Sequence, residues 1–193
     1  MNKSSASKLK KRPVKARSAA TRVPFKIVVS EKDIHKRVRE MAKAINRDYA
    51  GKTLHVVGIL EDCFVFMADL IRALTIPVVC YFVRSVMRDT DSGAVAVREI
   101  MYIPPVDAAC KELLIVQGVL QSGVTLDHLR RTLLAQQPAS LRTATLLDKA
   151  DERKTDVPVD YAGFKLSGRF LVGYGLGFQD QYRNLPFLAR LSK

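Results

Sequence analysis

The feature that most limits the fold is a series of short, almost unbroken apolar runs separated by helix-length segments. LHVVGIL at 54–60 and ELLIV at 112–116 lack the alternation of a half-exposed strand. Such runs are expected of strands covered on both faces in a parallel sheet. FKIVV at 25–29, VVCYFV at 78–83, SLRTATLL at 140–147 and RFLVGY at 169–174 extend the series. Between them, Ile34, Val38, Met41, Ala42 and Ile45 share one face of a helix over 31–49. Ser30 is its N-cap, Asp33 a weaker capping-box partner than Glu or Gln, and Gly51 ends it. Helices are also expected over 64–74 and 124–136. Strand and helix in alternation imply right-handed crossovers and an α/β fold with a mostly parallel sheet. Ligands of such sheets sit at the carboxyl ends of the strands.

A chain of 193 residues, 48% hydrophobic, can bury one sizeable core and is not a wholly disordered polymer. Its apolar runs fall far short of the roughly 20 residues of a membrane span. No apolar segment follows the basic start, so no secretory signal is expected. The formal charge of +13 is unevenly placed: Lys3, Lys8, Lys10, Lys11, Arg12, Lys15, Arg17 and Arg22 precede the first acid, Glu31, and leave +5 for the remainder. Residues 1–24 therefore read as a basic disordered tail and 25–193 as the folded domain. The tail suits solubility, phosphate neutralisation on a nucleic acid or organelle targeting, and it has no interleaved aromatic for base stacking. Cys63, Cys80 and Cys110 have no metal spacing and read as reduced, mostly buried thiols of a cytoplasmic protein. His35, His55 and His128 are equally scattered, and His55 is expected to be a satisfied core residue.

The sharpest local signal is LLIVQGVLQSGVTL at 113–126: an apolar strand, a short loop, then a helix start. Ser122, Gly123, Val124 and Thr125 can aim backbone N–H groups and two hydroxyls at a phosphate, with the positive end of the helix behind them. Read alone, the same loop also serves as an ordinary helix cap.

Four blocks in order carry a resemblance: HVVGILEDCFVFMADLIRAL at 55–74, LLIVQGVLQSGVTL, ATLLDKADERKTDVPVDYAGF at 144–164 and FLVGYGLGFQDQYRNLPF at 170–187. Over residues 27–191 the chain resembles bacterial hypoxanthine-guanine phosphoribosyltransferases. The resemblance implies a type I phosphoribosyltransferase fold: a mostly parallel sheet flanked by helices, with a small hood made partly from the chain's end. It also implies an oligomer and a magnesium-dependent conversion of a purine base and phosphoribosyl pyrophosphate into a nucleotide and pyrophosphate. Ser122 to Thr125 fall on the loop that holds the 5′-phosphate. Lys149 matches the lysine that donates to the purine's exocyclic oxygen, Phe170 the aromatic that stacks on the base, and Leu171 an apolar residue with a backbone contact. Arg183 matches an arginine that approaches pyrophosphate.

The acids of that family pattern do not match. Gln117 and Gly118 stand where an acidic pair accepts the ribose hydroxyls, and Gln121 where a third acid takes the purine N7 proton. An amide is no base at neutral pH, and losing a positioned general base costs about 10²–10⁴-fold in rate. Gly177 replaces an aspartate that helps to hold magnesium, and a glycine supplies no carboxylate. The pyrophosphate loop, usually Leu-Lys-Gly, is Leu60-Glu61-Asp62, and each carboxylate at 4 Å from an anion is unfavourable by about 4 kcal/mol at an effective dielectric near 20. The lid sequence Arg84-Ser85-Val86-Met87-Arg88 lacks the family's Ser-Tyr pair.

The expected function is a catalytically weak or inactive purine phosphoribosyltransferase homologue that binds a purine nucleotide or base, alone or in a mixed oligomer with an active relative. An active enzyme using magnesium and rearranged groups (Glu61, Asp62, Asp89, Asp91 or Glu99) is the alternative. A scaffold or nucleic-acid-associated protein acting through its tail is a third.

Overall fold

The computed structural model describes residues 25–88, 97–103, 106–168, 171–179 and 181–191, without the side chains of 85–88 and 97–103. The basic tail, Asp89, Asp91 and Phe170 lie outside the described residues, as does the side chain of Glu99.

The chain runs β1 (Phe25–Val29), α1 (Glu31–Asp48), β2 (Leu54–Leu60), α2 (Phe64–Ala73), β3 (Val78–Arg88), β4 (Val97–Ile103), β5 (Glu112–Leu120), α3 (Val124–Leu134), β6 (Ser140–Asp148), β7 (Tyr161–Lys165), β8 (Leu171–Val172) and β9 (Leu188–Leu191), with a 3₁₀ turn at Ala150–Glu152. One sheet has the order β4-β3-β2-β5-β6-β7, parallel throughout except for the antiparallel pairing of β3 with β4. The second has the order β1-β9-β8 and is antiparallel. This is the type I phosphoribosyltransferase fold, and the hood joins the first described strand to the last.

The apolar runs are continuous because successive side chains serve different cores. Val56, Leu114 and Val116 pack with α1 and α2, whereas Val57, Leu113 and Ile115 pack with Leu126, Leu129 and Leu133 of α3. The connection β2-α2-β3 thus lies on one face and β5-α3-β6 on the other. Right-handed crossovers that run outward from the central pair β2-β5 require this division. It opens a crevice at the carboxyl ends of β2 and β5.

Helix α1 forms as its sequence predicts. Ser30 Oγ accepts from Asp33 N–H at 3.2 Å and donates to the Asp33 carboxylate at 2.6 Å. Ile34, Val38, Met41, Ala42 and Ile45 are all buried, and each large member contributes about 1.5–3 kcal/mol through that burial. Its last residue, Asp48, joins a network at the amino ends of the strands, opposite the crevice. Arg142 donates to Asp48 at 2.6 Å and to the Tyr161 hydroxyl at 2.7 Å, while Tyr161 donates to Asp48 at 2.8 Å. The Tyr161 hydrogen bond is the main cause holding the Asp48 carboxyl below its usual pKa.

Several expectations need correction. Strand β8 is shorter than the run RFLVGY, because the chain turns at Gly173–Leu176. Strands β4, β7 and β9 add edges and hood that the apolar runs do not announce. The thiols are not mostly buried: Cys63 is buried, Cys80 intermediate and Cys110 exposed. His55 is no satisfied core residue, for its ring stacks on Tyr81 at 5.9 Å and its buried Nδ1 has no partner.

Candidate functional site

Three parallel strands deliver the residues of the crevice from their carboxyl ends. Beyond β2 come Glu61, Asp62 and Cys63; beyond β5 come Gln121, Ser122 and Gly123; beyond β6 comes Lys149. Two adjoining cavities lie among them. One, about 200 Å³, is lined by Asp62, Val119, Gln121, Leu147, Lys149, Leu171, Leu176 and Gly177. The other, about 230 Å³, is lined by Asp62, Gln117, Val119, Gln121, Ser122, Gly123, Thr125 and Leu126. Asp62, Val119 and Gln121 are common to both, so together they form one two-part pocket of the size used for small ligands, about 300–1,000 Å³. A larger cavity, about 380 Å³, opens between α1 and α2 and is lined by none of these loops.

The second cavity is built by the β5–α3 turn. Gly123 has φ +82°, and a side chain there would put its Cβ 2.7 Å from the Thr155 carbonyl. That close approach is secured from the other side, where Lys154 and Thr155 donate backbone N–H groups to the Ser122 carbonyl at 2.9 and 3.1 Å. With the turn held, Ser122, Gly123, Thr125 and Leu126 border the cavity at the start of α3, an arrangement suited to an anion, while the expected contact Val124 is exposed and lines neither cavity. Gln117 stands beside it. Its Nε2 donates to the Val119 carbonyl at 2.8 Å, which leaves Oε1 buried without a partner. A buried acceptor so stranded costs about 1–3 kcal/mol, and a ligand hydroxyl would recover it.

The first cavity is more apolar and has one buried cation. Lys149 is 3% exposed; its Nζ donates to Glu152 at 3.0 Å and to the Gly168 carbonyl at 2.9 Å. An ammonium has three N–H bonds, so among the described contacts one is not engaged, on a residue that lines this cavity. Leu171, also buried, forms part of the wall. Behind Lys149, Asp148 pairs with Arg153, whose Nη1 also donates to the Val157 carbonyl at 3.2 Å, so the segment after β6 is tied to the strand it leaves.

The carboxylates of the third loop are not bare, contrary to their appearance in the sequence. Glu61 accepts from Arg84 at 2.9 Å, and Asp62 from Arg183 at 2.6 Å. Arg183 also donates to the Gly175 carbonyl at 2.8 Å. The Leu60–Glu61 peptide bond is cis. The Asp62 carbonyl lies against Gly118, where an added Cβ would sit 2.4 Å from it. Cys63, buried next to this loop, has its thiol pushed up to about 12 by desolvation, reinforced by the Asp62 charge, and is no nucleophile at neutral pH.

Magnesium, which the family resemblance implies, does not fit the described residues. Gly177 has no carboxylate, and the Arg183 guanidinium covers it: a Cβ on Gly177 would lie 2.8 Å from Cζ and Nε. Among the described residues no group of three His, Cys, Asp or Glu is placed to hold a metal ion. Among them, too, no helix is long and apolar enough to cross a membrane.

Residues 27–179 match the phosphoribosyl transferase domain family. A hypoxanthine-guanine phosphoribosyltransferase of Dictyostelium discoideum is 38% identical over 171 residues, covering 86% of this chain and 95% of that protein. A hypoxanthine phosphoribosyltransferase of Haemophilus influenzae is 34% identical over 170 residues, 86% of this chain and 94% of its own. Among solved structures, a hypoxanthine-guanine phosphoribosyltransferase from Bacillus anthracis superposes with a TM-score of 0.77 at 33% identity, covering 88% of this chain and all of that one. With the sheet order, the hood and the crevice already described, these similarities show that the chain belongs to the hypoxanthine-guanine phosphoribosyltransferase family.

Proposed function

We propose that this family member binds purine nucleoside monophosphates and has lost, or kept only weakly, the transfer of a phosphoribosyl group to a purine base. One observation carries the reading. The two-part pocket retains a buried ammonium at Lys149 and the 122–125 turn, while positions 117, 118, 121 and 177 offer it no acid.

Each half of the pocket suits part of a nucleotide. The 122–125 turn takes the 5′-phosphate through backbone amides, two hydroxyls and the start of α3. Lys149 donates to the exocyclic oxygen of a 6-oxopurine, with Leu171 beside the ring; Phe170 belongs to the same proposal as its stacking partner. The orphaned Oε1 of Gln117 accepts a ribose hydroxyl. Among the described residues, the pocket has no group to do what the transfer demands. An oxocarbenium-like ribose needs a negative field, and Gly118 has no side chain to supply one. The purine N7 proton needs a base, and Gln121 is an amide. Asp62, which lines both cavities, is engaged by Arg183 and does not replace that base. Magnesium enters only if the chain is active after all. A cytoplasmic location, and assembly with itself or with an active relative, complete the proposal.

Calorimetric titration with guanosine or inosine monophosphate tests it. Binding is expected, weakened about tenfold or more by Lys149→Ala, because a hydrogen bond to a charged donor contributes about 1.5–3 kcal/mol. The absence of heat with any purine nucleotide would overturn the reading.

A further inference from the structure

The loop after β2 and the segment after β8 meet in an alternating line of charge: Arg84, Glu61, Arg183, Asp62. Arg84 Nη2 donates to Glu61 Oε1 at 2.9 Å. Arg183 Nη2 reaches the other oxygen, Oε2, at 3.5 Å, while its Nη1 holds Asp62 Oδ1 at 2.6 Å and the Gly175 carbonyl at 2.8 Å. Two cations face two anions, so the formal charge of the cluster is zero. Arg183 is the least exposed member, at 24% of its side chain. It lies over Gly177, in the space that a side chain there would take.

Resting on the nucleotide reading above, we infer that this line of ion pairs takes the place of both pyrophosphate and metal, so that the pocket admits purine nucleoside 5′-monophosphates without a divalent cation and shuts out inorganic pyrophosphate. The monophosphate is housed at the β5–α3 turn, and its N–H donors belong to backbone that no carboxylate engages in the cluster. A pyrophosphate placed beside the loop after β2, with the turn already taken by the nucleotide, meets Arg84 and Arg183 as the cations of that loop, both already paired. Taking either strands Glu61 or Asp62, unpaired, beside a polyanion. Exposed ion pairs are individually weak. The exclusion therefore comes from the carboxylates left behind rather than from the strength of the pairs. The loop has little room to carry them away, because the Asp62 carbonyl already abuts Gly118 and lies 3.0 Å from where a Cβ on Gly175 would be. A divalent cation finds the same carboxylates neutralised.

The test is calorimetry on the full chain with guanosine monophosphate, and with inorganic pyrophosphate added in the presence of saturating guanosine monophosphate so that the β5–α3 turn is occupied, each in chelator and in excess magnesium. The nucleotide is expected to bind equally in both buffers, within about twofold, and pyrophosphate to give no heat in either. The paired variant Glu61→Gln with Asp62→Asn keeps the shape of the loop and releases both arginines. It is expected to gain pyrophosphate affinity of about tenfold or more over the parent chain, since charge-assisted bonds to two guanidinium groups become available. Asp62→Asn alone frees the 2.6 Å contact and serves in its place if the paired variant does not melt cooperatively. Pyrophosphate binding by the parent chain as tight as that of the nucleotide would overturn the inference, and so would a folded variant that gains none. If the nucleotide fails to bind, the nucleotide reading falls, whereas the comparison of parent and variant with pyrophosphate still decides whether the cluster acts as a barrier.

Discussion

Gly118→Ala adds a single methyl group to the middle of the crevice, and the structure predicts the sign of its effect. The backbone of Gly118 is not in the left-handed region, so alanine can adopt it. On chain entropy alone, such a change stabilises a protein by about 0.4–1 kcal/mol. The new Cβ would, however, lie 2.4 Å from the Asp62 carbonyl oxygen, 2.7 Å from its carbon and 3.0 Å from its Cβ. Ordinary contact begins near 3.5 Å, so the loop after β2 must retreat by about 1 Å. The obstacle is backbone, and its side chain is anchored to Arg183 at 2.6 Å, so no free rotamer relieves it. Overpacking of this kind costs about 1–3 kcal/mol. Less the entropy gain, the net cost is up to about 2.6 kcal/mol; at about 2–4 °C per kcal/mol for a chain of this length, a fall of up to about 10 °C is expected. Thermal unfolding followed by circular dichroism reads it. A rise of a few degrees would show that entropy wins, and that the β2 loop does not close against β5 as described.

Three further outcomes are expected. Asp48 and Glu112 have folded pKa values below their ordinary ones, chiefly through hydrogen bonds from Tyr161 and Lys52 respectively. Their stabilisation is complete above the unfolded values, about 4, and is lost as pH falls through the folded values; melting midpoints should therefore drop below about pH 4, less steeply in Asp48→Asn. In maleimide labelling at neutral pH, exposed Cys110 should react first and Cys63 only on unfolding, as read by peptide mass spectrometry; early modification of Cys63 would contradict its burial. Restoring acids together at 117, 118, 121 and 177 should regain little activity in a coupled nucleotide-formation assay unless the β2 loop is also rebuilt, because the carboxylate at 118 meets the Asp62 carbonyl.

The parallel core was legible because its strands are apolar on both faces, and α1 because its cap and its buried stripe agree. Strands β7 and β9 were not. YAGFK is short and only partly buried, and LARL acquires its place by pairing with β1, some 160 residues earlier in the chain, a distance no local pattern spans. At the site, Ser122 to Thr125, Lys149 and Leu171 are picked out through motifs; Ser122, Gly123, Thr125, Lys149 and Leu171 line the two adjoining cavities, whereas Val124 is exposed and lines neither. The charge balance could not be read this way. Glu61 and Asp62 read in sequence as a bare repulsive pair, yet Arg183, more than a hundred residues later, neutralises one of them and touches the other. Gly118 likewise reads as a missing acid, and only the fold reveals it as the place where a neighbouring loop closes. The partnership of Lys149 with Glu152 is the exception that a sequence signal could have found, since the two lie three residues apart.

The central claim is that the nucleotide pocket persists without the machinery of transfer. Steady-state formation of nucleotide from guanine or hypoxanthine, phosphoribosyl pyrophosphate and magnesium tests it most directly. The account predicts no product, or turnover slower than a typical enzyme's about 10 s⁻¹ by a factor of about 10²–10⁴. Turnover in the ordinary range of about 1–10³ s⁻¹ would contradict it.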